Sequence, residues 1–230
     1  MEIVALVPAR GGSKGIPRKN LSEVNGLTLV EHAVLRAQQA NCFSKIFVST
    51  DDPEIARNAE GAGALVSLRS SKSSSDLASA NDVVKEFCDA ESISLGFSIC
   101  YLQPTSPLLH HEMVAQGVRL HSESGERPVV GVRKVTEPLE KQLELSPQGN
   151  LIAAVSNGLP TANRQALRSR FIPTGGLYVF SRRTFLEEGV VPVIGAIGLE
   201  IPPEQALDID SYFDLQVARL IARGRDETNN

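Results

Sequence analysis

No stretch of the 230-residue sequence approaches the apolar length of a membrane span. Nor does Met1 lead into a basic segment followed by a long apolar run, as a secretory leader would. The chain is therefore expected to be soluble and cytoplasmic. Tryptophan is absent, but the apolar fraction of 42% is ordinary and the length suits one domain with a real core. An excess of positive charge is also missing, since 23 Lys and Arg face 27 Asp and Glu for a net charge of −4. Such a chain is not built to coat nucleic acid, and any anion it binds must be met by a local cluster of cations. The cysteines, Cys42, Cys88 and Cys100, are odd in number and lack CxxC spacing, which points to buried thiols in a reducing compartment. His32, His110, His111 and His121 have no metal-ligand partner at helical spacing, so surface or capping roles are expected. No Ser/His/Asp or Cys/His nucleophile arrangement and no internal repeat is found.

What is present is an alternation of strand and helix patterns. The apolar run Ile3–Val7 ends at Pro8 and reads as a strand buried on both faces. Thr28 with Glu31 forms a capping box for a helix over Leu29–Ala40. Lys45–Thr50 is a second strand, and Asp51-Asp52-Pro53 opens a helix over Glu54–Ala62. Ala64–Leu68 is a third strand, and Ser75 or Asp76 is expected to cap a helix reaching Ala90. Ser98–Gln103 is a fourth strand, and Glu112–Ser122 is helical. These lengths predict an α/β fold with a mostly parallel central sheet covered by helices. From about residue 128 to 173 strands outnumber helices, and Ser146–Asn150 suggests a hairpin turn, so this span reads as a small strand-rich excursion. Gly175–Phe180 returns to the core as a strand, and Tyr212–Arg223 closes the chain as a helix.

The segment PARGGSKGIPRKN, Pro8 to Asn20, follows the first strand directly. It is neither a P-loop, because Lys14 precedes Gly15, nor a GxGxxG fingerprint. Arg10, Lys14, Arg18 and Lys19 stand among Gly11, Gly12 and Gly15 with no carboxylate between them. Glycines let backbone N–H groups approach a ligand, and a polyphosphate at the C-terminal end of a buried strand would neutralise the cations. Near the other end of the chain, Asp208 and Asp210 flank Ile209. In an extended segment both carboxylates face one side, as one Mg²⁺ would require, although Asp210 or Ser211 also suits the cap of the last helix.

The segment PARGGSKGIPRKN, together with STDD (Ser49–Asp52), LQPTSPL (Leu102–Leu108) and DIDSYFDL (Asp208–Leu215), resembles the acylneuraminate cytidylyltransferase family in the same order, from Val4 to about Leu220. The resemblance implies a three-layer, Rossmann-like nucleotidyltransferase that moves CMP from CTP to the anomeric hydroxyl of a nine-carbon keto acid and releases pyrophosphate. It implies Arg10, Gly11, Gly12, Ser13, Lys14, Lys19 and Asn20 at the CTP phosphates and ribose, with Arg10 and Lys19 first among the cations and Arg18 less secure. Arg69, Asp76 and Ser79 fall near the cytosine, with Asp76 equally suited to capping a helix. Asp208 and Asp210 would hold Mg²⁺, while Asp214, one turn into the helix, reads as structural. Gln103, Thr105, Ser106, Arg164 and Tyr178 fall at the acceptor, with core packing an equal reading for Tyr178.

The chain departs from the family block at IPTGGLY, where Ile172 stands in place of a cation and Thr174 in place of an amide. Arg168 and Arg170 lie nearby as substitutes. A sialic, legionaminic or pseudaminic acid is the implied acceptor. The alternatives are another anionic acceptor, such as an eight-carbon keto acid or a phosphonate, and a non-catalytic CTP-binding homologue. A nicotinamide-dependent reductase fits less well, for want of GxGxxG. The resemblance also implies a homodimer formed through the excursion.

Overall fold

A computed structural model describes residues 2–13, 15–75 and 77–228, with Arg164 and residues 225–228 by backbone alone. The chain opens with β1 (Glu2–Pro8), the short strands β2 (Glu23–Val24) and β3 (Leu27–Thr28), and α1 (Leu29–Ala40). It continues through β4 (Lys45–Thr50), α2 (Pro53–Gly61), β5 (Leu65–Leu68), α3 (Ala80–Ala90), β6 (Phe97–Tyr101) and α4 (His111–Glu123). Then come β7 (Val129–Lys134), β8 (Leu143–Leu145), β9 (Leu151–Ala153), β10 (Phe171–Ser181), α5 (Arg182–Glu188), β11 (Ile197–Glu200) and α6 (Tyr212–Thr228). Seven strands form one sheet in the order β11-β7-β10-β6-β1-β4-β5. β10 runs antiparallel to both its neighbours, and every other pairing is parallel. No described helix is long and apolar enough to cross a membrane.

The alternation of β1 explains the three layers. Ile3, Ala5 and Val7 pack with side chains of α1, α2 and α4, while Val4 and Leu6 pack with those of α3 and α5. All five are at most 5% exposed, and burying each Val, Leu or Ile contributes roughly 1.5–3 kcal/mol. Thr28 and Glu31 make both bonds of the expected capping box at α1, and Asp52 caps α2 ahead of Pro53.

Other expectations are corrected. The cap of α3 is Ser79, not Ser75 or Asp76, because Ser79 and Asp82 supply a complete capping box four residues later. β10 begins at Phe171 rather than Gly175, and β7 belongs to the main sheet, so the chain leaves the sheet over 135–170. Within that span β8 and β9 pair as a hairpin. His121 is no surface residue. It is wholly buried, with Nε2 2.8 Å from Ser98 Oγ and Nδ1 2.7 Å from the Arg127 carbonyl, which makes Nδ1 the protonated nitrogen.

A third apolar cluster places the site. Ile16 of the basic loop, Leu108, Ile209, and Leu215, Ala218 and Ala222 of α6 are buried together. This cluster fastens the N-terminal loop to the C-terminal acidic segment.

Candidate active site

The C-terminal ends of β1, β4, β5 and β6 all point to one edge of the sheet, where open α/β folds bind ligands. There a cavity of about 440 Å³ lies between the basic loop, the turn after β5, the N-terminus of α3 and the turn after β6. Arg10, Ser13, Gly15, Lys19 and Asn20 line it from the loop, and Arg69, Ser79, Tyr101, Gln103, Thr105 and Asp210 from the other elements. Asn20, buried, donates from Nδ2 to the Arg10 carbonyl at 2.9 Å and so fixes the loop backbone. Arg10 donates from Nη1 to the Ser75 carbonyl at 2.9 Å, tying the loop to the serine-rich turn. Arg69 donates from Nε to Ser49 Oγ at 3.0 Å, while its Nη2 is buried without a hydrogen-bond partner among the described residues. Burial lowers the pKa of Arg69 and pushes the neighbouring Tyr101 phenol up to about 12. Arg69 borders the cavity, and its unsatisfied buried guanidinium nitrogen is a donor without an acceptor.

Lys19 joins the two ends of the chain. Its Nζ donates to the Ile209 carbonyl at 2.7 Å and to Asp210 Oδ1 at 3.1 Å. A side chain at Gly15 would collide with the carbonyl oxygen of Asp210, so the loop and the acidic segment touch backbone to backbone. Asp208 and Asp210 both border a second cavity of about 1130 Å³, between α6, the residues after β11 and the excursion. Asp208 is half-buried, and desolvation raises its pKa despite a hydrogen bond from Thr105. Its Oδ1 is buried with no partner among the described residues. Gly175, at φ +80°, separates the two cavities. A Cβ there would lie 3.1 Å from both Asp208 Oδ2 and Gln103 Oε1.

A family model described as cytidylyltransferase matches residues 4–156. The chain belongs to the cytidylyltransferase family. N-acylneuraminate cytidylyltransferase A of Danio rerio is 32% identical over 217 residues, which are 94% of this chain and 50% of that protein. Pseudaminic acid cytidylyltransferase of Campylobacter jejuni is 25% identical over 232 residues, 99% of each chain. The chain thus spans about half the length of the N-acylneuraminate relatives it matches. Its fold is that of CMP:2-keto-3-deoxy-manno-octonic acid synthetase in complex with CTP, at a TM-score of 0.72 and 16% identity over 98% of this chain and all of that one.

Within this cytidylyltransferase fold the residues singled out from sequence separate into groups. Arg10, Ser13, Lys19, Asn20, Arg69, Ser79, Gln103, Thr105 and Asp210 meet around the smaller cavity. Gly11 and Gly12 do not line either cavity, and the Gly11 amide is spent on Asp51 Oδ1 at 2.9 Å. Arg18 turns away from the cavity to Asp52 and Glu54. The Ser79 hydroxyl is engaged with Asp82 in the capping box of α3. Ser106 is buried at 2% exposure beneath Gly176, and Tyr178 packs edge-on against Tyr101 with ring centroids 6.2 Å apart. Thr174 is buried and donates to the Gly131 carbonyl at 3.2 Å. Asp214 accepts from the amides of Asp210 and Ser211 and from the Ser211 hydroxyl, the structural role expected of it. Lys14 and Asp76 lie outside the described residues, as does the side chain of Arg164.

The sequence reading overlooked two residues of consequence. Gly15 has no mark in the sequence that sets it apart from Gly11 and Gly12, yet it alone of the three leaves no room for a Cβ beside the Asp210 carbonyl. Arg133, on β7, borders the larger cavity and carried no local signal. The donor set also suits a divalent cation. Among the described residues no three His, Cys, Asp or Glu side chains cluster as a protein-only cage. The orphaned Oδ1 of Asp208, with Asp210 beside it, instead matches an ion that takes one or two carboxylates and completes its shell with phosphate and water.

Proposed function

We propose that this chain is a CTP-dependent cytidylyltransferase that transfers CMP to the anomeric hydroxyl of a sialic-acid-like nine-carbon keto acid and releases pyrophosphate. The observation that carries the proposal is the joining of loop and acidic segment by Lys19, by Gly15 and by the apolar cluster that Ile16 and Ile209 share. That junction puts cations, an orphaned carboxylate oxygen and two cavities within one site. CTP occupies the smaller cavity, with its phosphates against Arg10, Ser13 and Lys19 and its base toward Arg69, whose free Nη2 suits a carbonyl acceptor. The acceptor occupies the larger cavity and meets the nucleotide at Gly175, beside Gln103 and Thr105.

In the reaction the hydroxyl oxygen bonds to the α-phosphorus, the bond from that phosphorus to the bridging oxygen of the departing pyrophosphate breaks, and the hydroxyl proton passes to solvent. Arg10 and Lys19 stabilise the charge that builds on the departing pyrophosphate, and losing one such donor typically costs roughly 2.7–4 kcal/mol of transition-state energy. Asp208 and Asp210 would hold Mg²⁺, which when bound neutralises charge on the CTP phosphates. Gln103 reads acceptor hydroxyls through its neutral amide.

The chain is also proposed to work as a homodimer in the cytoplasm. Leu145 and Leu151 of the β8–β9 hairpin are 72% and 67% exposed, and a lone two-stranded hairpin is marginal in water. A reducing compartment suits the free thiols of Cys42, Cys88 and Cys100. Sedimentation of wild type against Leu145→Asp tests the dimer, which the charge should dissociate.

The reaction is tested by incubating the protein with CTP and Mg²⁺ and following pyrophosphate release with separate acceptors. The panel holds N-acetylneuraminate, legionaminate, pseudaminate, an eight-carbon keto acid and an aminoalkylphosphonate. Release with one nine-carbon acid, abolished in Asp208→Ala, is the expected result. Release with only the phosphonate or the eight-carbon acid refutes the acceptor assignment. Silence across the panel with CTP bound refutes catalysis on these acceptors.

A further inference from the structure

We propose that Arg133 binds the carboxylate of the acid acceptor and thereby aims its anomeric hydroxyl at the seam between the two cavities. The inference rests on the cytidylyltransferase reading above. In the cyclic form of an α-keto acid the carboxylate and the anomeric hydroxyl share one carbon. A cation that grips the first therefore fixes the direction of the second.

Among the described side chains four cations border the larger cavity, Arg133, Lys134, Arg168 and Arg170. Arg170 is committed to an ion pair with Glu140 inside the excursion. Arg168 and Lys134 are exposed, and an exposed cation gains little from a carboxylate already in water. Arg133 is half-buried, and its side chain has no hydrogen bond or ion pair among the described residues. An uncommitted guanidinium on a half-buried side chain can receive an incoming carboxylate through two parallel hydrogen bonds.

Its direction follows from the strand. A Cβ at Gly131 would face Leu177, Thr174 and Ile201. Two residues further along β7, Arg133 projects to that same face. The chain runs on from Ile201 to Asp208, and both border the cavity that Arg133 borders. Across the strand pair, Arg133 stands opposite Ile172. Ile172 offers no charge to compete for the guanidinium. The larger cavity thus has a cationic wall on β7 and an acidic wall at Asp208 and Asp210. Gly175 lies between Asp208 on this cavity and Gln103 on the nucleotide side, and Asp210 borders both cavities.

The test compares wild type, Arg133→Met, Arg133→Lys and Arg168→Met in steady-state kinetics. Each receives the keto acid that releases pyrophosphate with wild type, and separately the methyl ester of that acid. Arg133→Met should raise the acceptor KM roughly 10- to 100-fold, the usual loss for a hydrogen bond to a charged group. The CTP KM should stay within about twofold, since no CTP contact is assigned to Arg133. With the ester the two proteins should differ by less than about threefold, because the paired charge is already missing. Arg133→Lys should recover only part of the loss, as a point charge replaces a planar fork. Equal losses on acid and ester would show a structural role and overturn the proposal. So would a carboxylate-specific loss in Arg168→Met with none in Arg133→Met. Failure of the reaction itself appears earlier and separately, as wild-type silence toward every keto acid while CTP still binds, and it would take this proposal with it.

Discussion

Gly12 and Gly15 are three residues apart on the same basic loop, and the structure predicts opposite outcomes for one substitution. A Cβ at Gly12 meets nothing within 4 Å, whereas at Gly15 it runs into the carbonyl oxygen of Asp210. Neither residue needs a left-handed backbone, so the comparison isolates contact from conformation. Ordinary van der Waals contact begins at 3.4 Å, and the obstacle at Gly15 is backbone rather than a flexible side chain. Loop and acidic segment must therefore part by about an ångström. A displacement of that size at a catalytic junction costs on the order of 10²-fold in rate, and the strain costs about 1–3 kcal/mol of stability. Gly15→Ala should lower kcat/KM by on the order of 10²-fold in a pyrophosphate-release assay, with a modest drop in melting temperature. Gly12→Ala should change either quantity little. Equal effects of the two substitutions, or a fully active Gly15→Ala, would refute the claim that the loop is set by direct approach to Asp210.

Asp208→Asn should abolish turnover yet raise the melting temperature at pH 8. Burial raises the pKa of Asp208 above its unfolded value, so the ionised form opposes folding there and the amide removes that penalty. His121 should make the protein acid-sensitive. Burial lowers its pKa below 6.5, so the unfolded state binds the proton more readily, and the stability present above pH 6.5 is lost as pH falls through the folded value. Urea titrations at pH 7 and pH 5 should show this loss in wild type, and a smaller one in His121→Gln. Arg18→Ala should change the CTP KM by less than about fivefold, because Arg18 serves Asp52 and Glu54 on the surface. Arg10→Ala should raise that KM far more, and the reverse ranking would mean that the loop binds phosphate in another register.

How far the fold was legible depended on whether its signals were local. Thr28 with Glu31, and Asp52 before Pro53, name their own helix starts; α1 begins at Leu29 as expected and α2 at Pro53, one residue before the expected Glu54. The start of α3 was legible too, but Ser75 and Asp76 offered a decoy. Only Ser79 has an acid three residues on, at Asp82, to complete the box. β11 and the first half of β10 carried no such mark. They become strands by pairing with β7, a partner that lies more than 35 residues away in the chain. His121 looked like a helix-end residue because nothing nearby in sequence foretells Ser98 or the Arg127 carbonyl as partners. At the site, residue types were legible and directions were not. The family resemblance ranks Arg18 below Arg10, but the physical reason is Asp52 on the turn after β4, which draws Arg18 away from the cavity. Arg133 acquires meaning solely from standing across from Ile172.

The fold alters the charge balance of the basic loop. Its four cations have no carboxylate between them in sequence, yet Asp52 and Glu54 meet Arg18, and Asp210 meets Lys19. Asp210 is also a proposed metal ligand, so ligand binding must exchange partners, with Lys19 turning to phosphate and Asp210 to the cation. Magnitudes decide whether that exchange is feasible. The Asp210 side chain is 80% exposed, and such pairs are worth only about 0–1 kcal/mol, so little opposes the switch. The Ile209 carbonyl keeps its own claim on Lys19, which anchors the amine near its post in either state. Lys19→Met should therefore raise the CTP KM and lower kcat together, while Mn²⁺ binding without nucleotide should tighten as Asp210 loses its competitor. Unchanged Mn²⁺ affinity in Lys19→Met, measured by the spin-resonance signal of the free ion, would show that the pair does not guard the metal site.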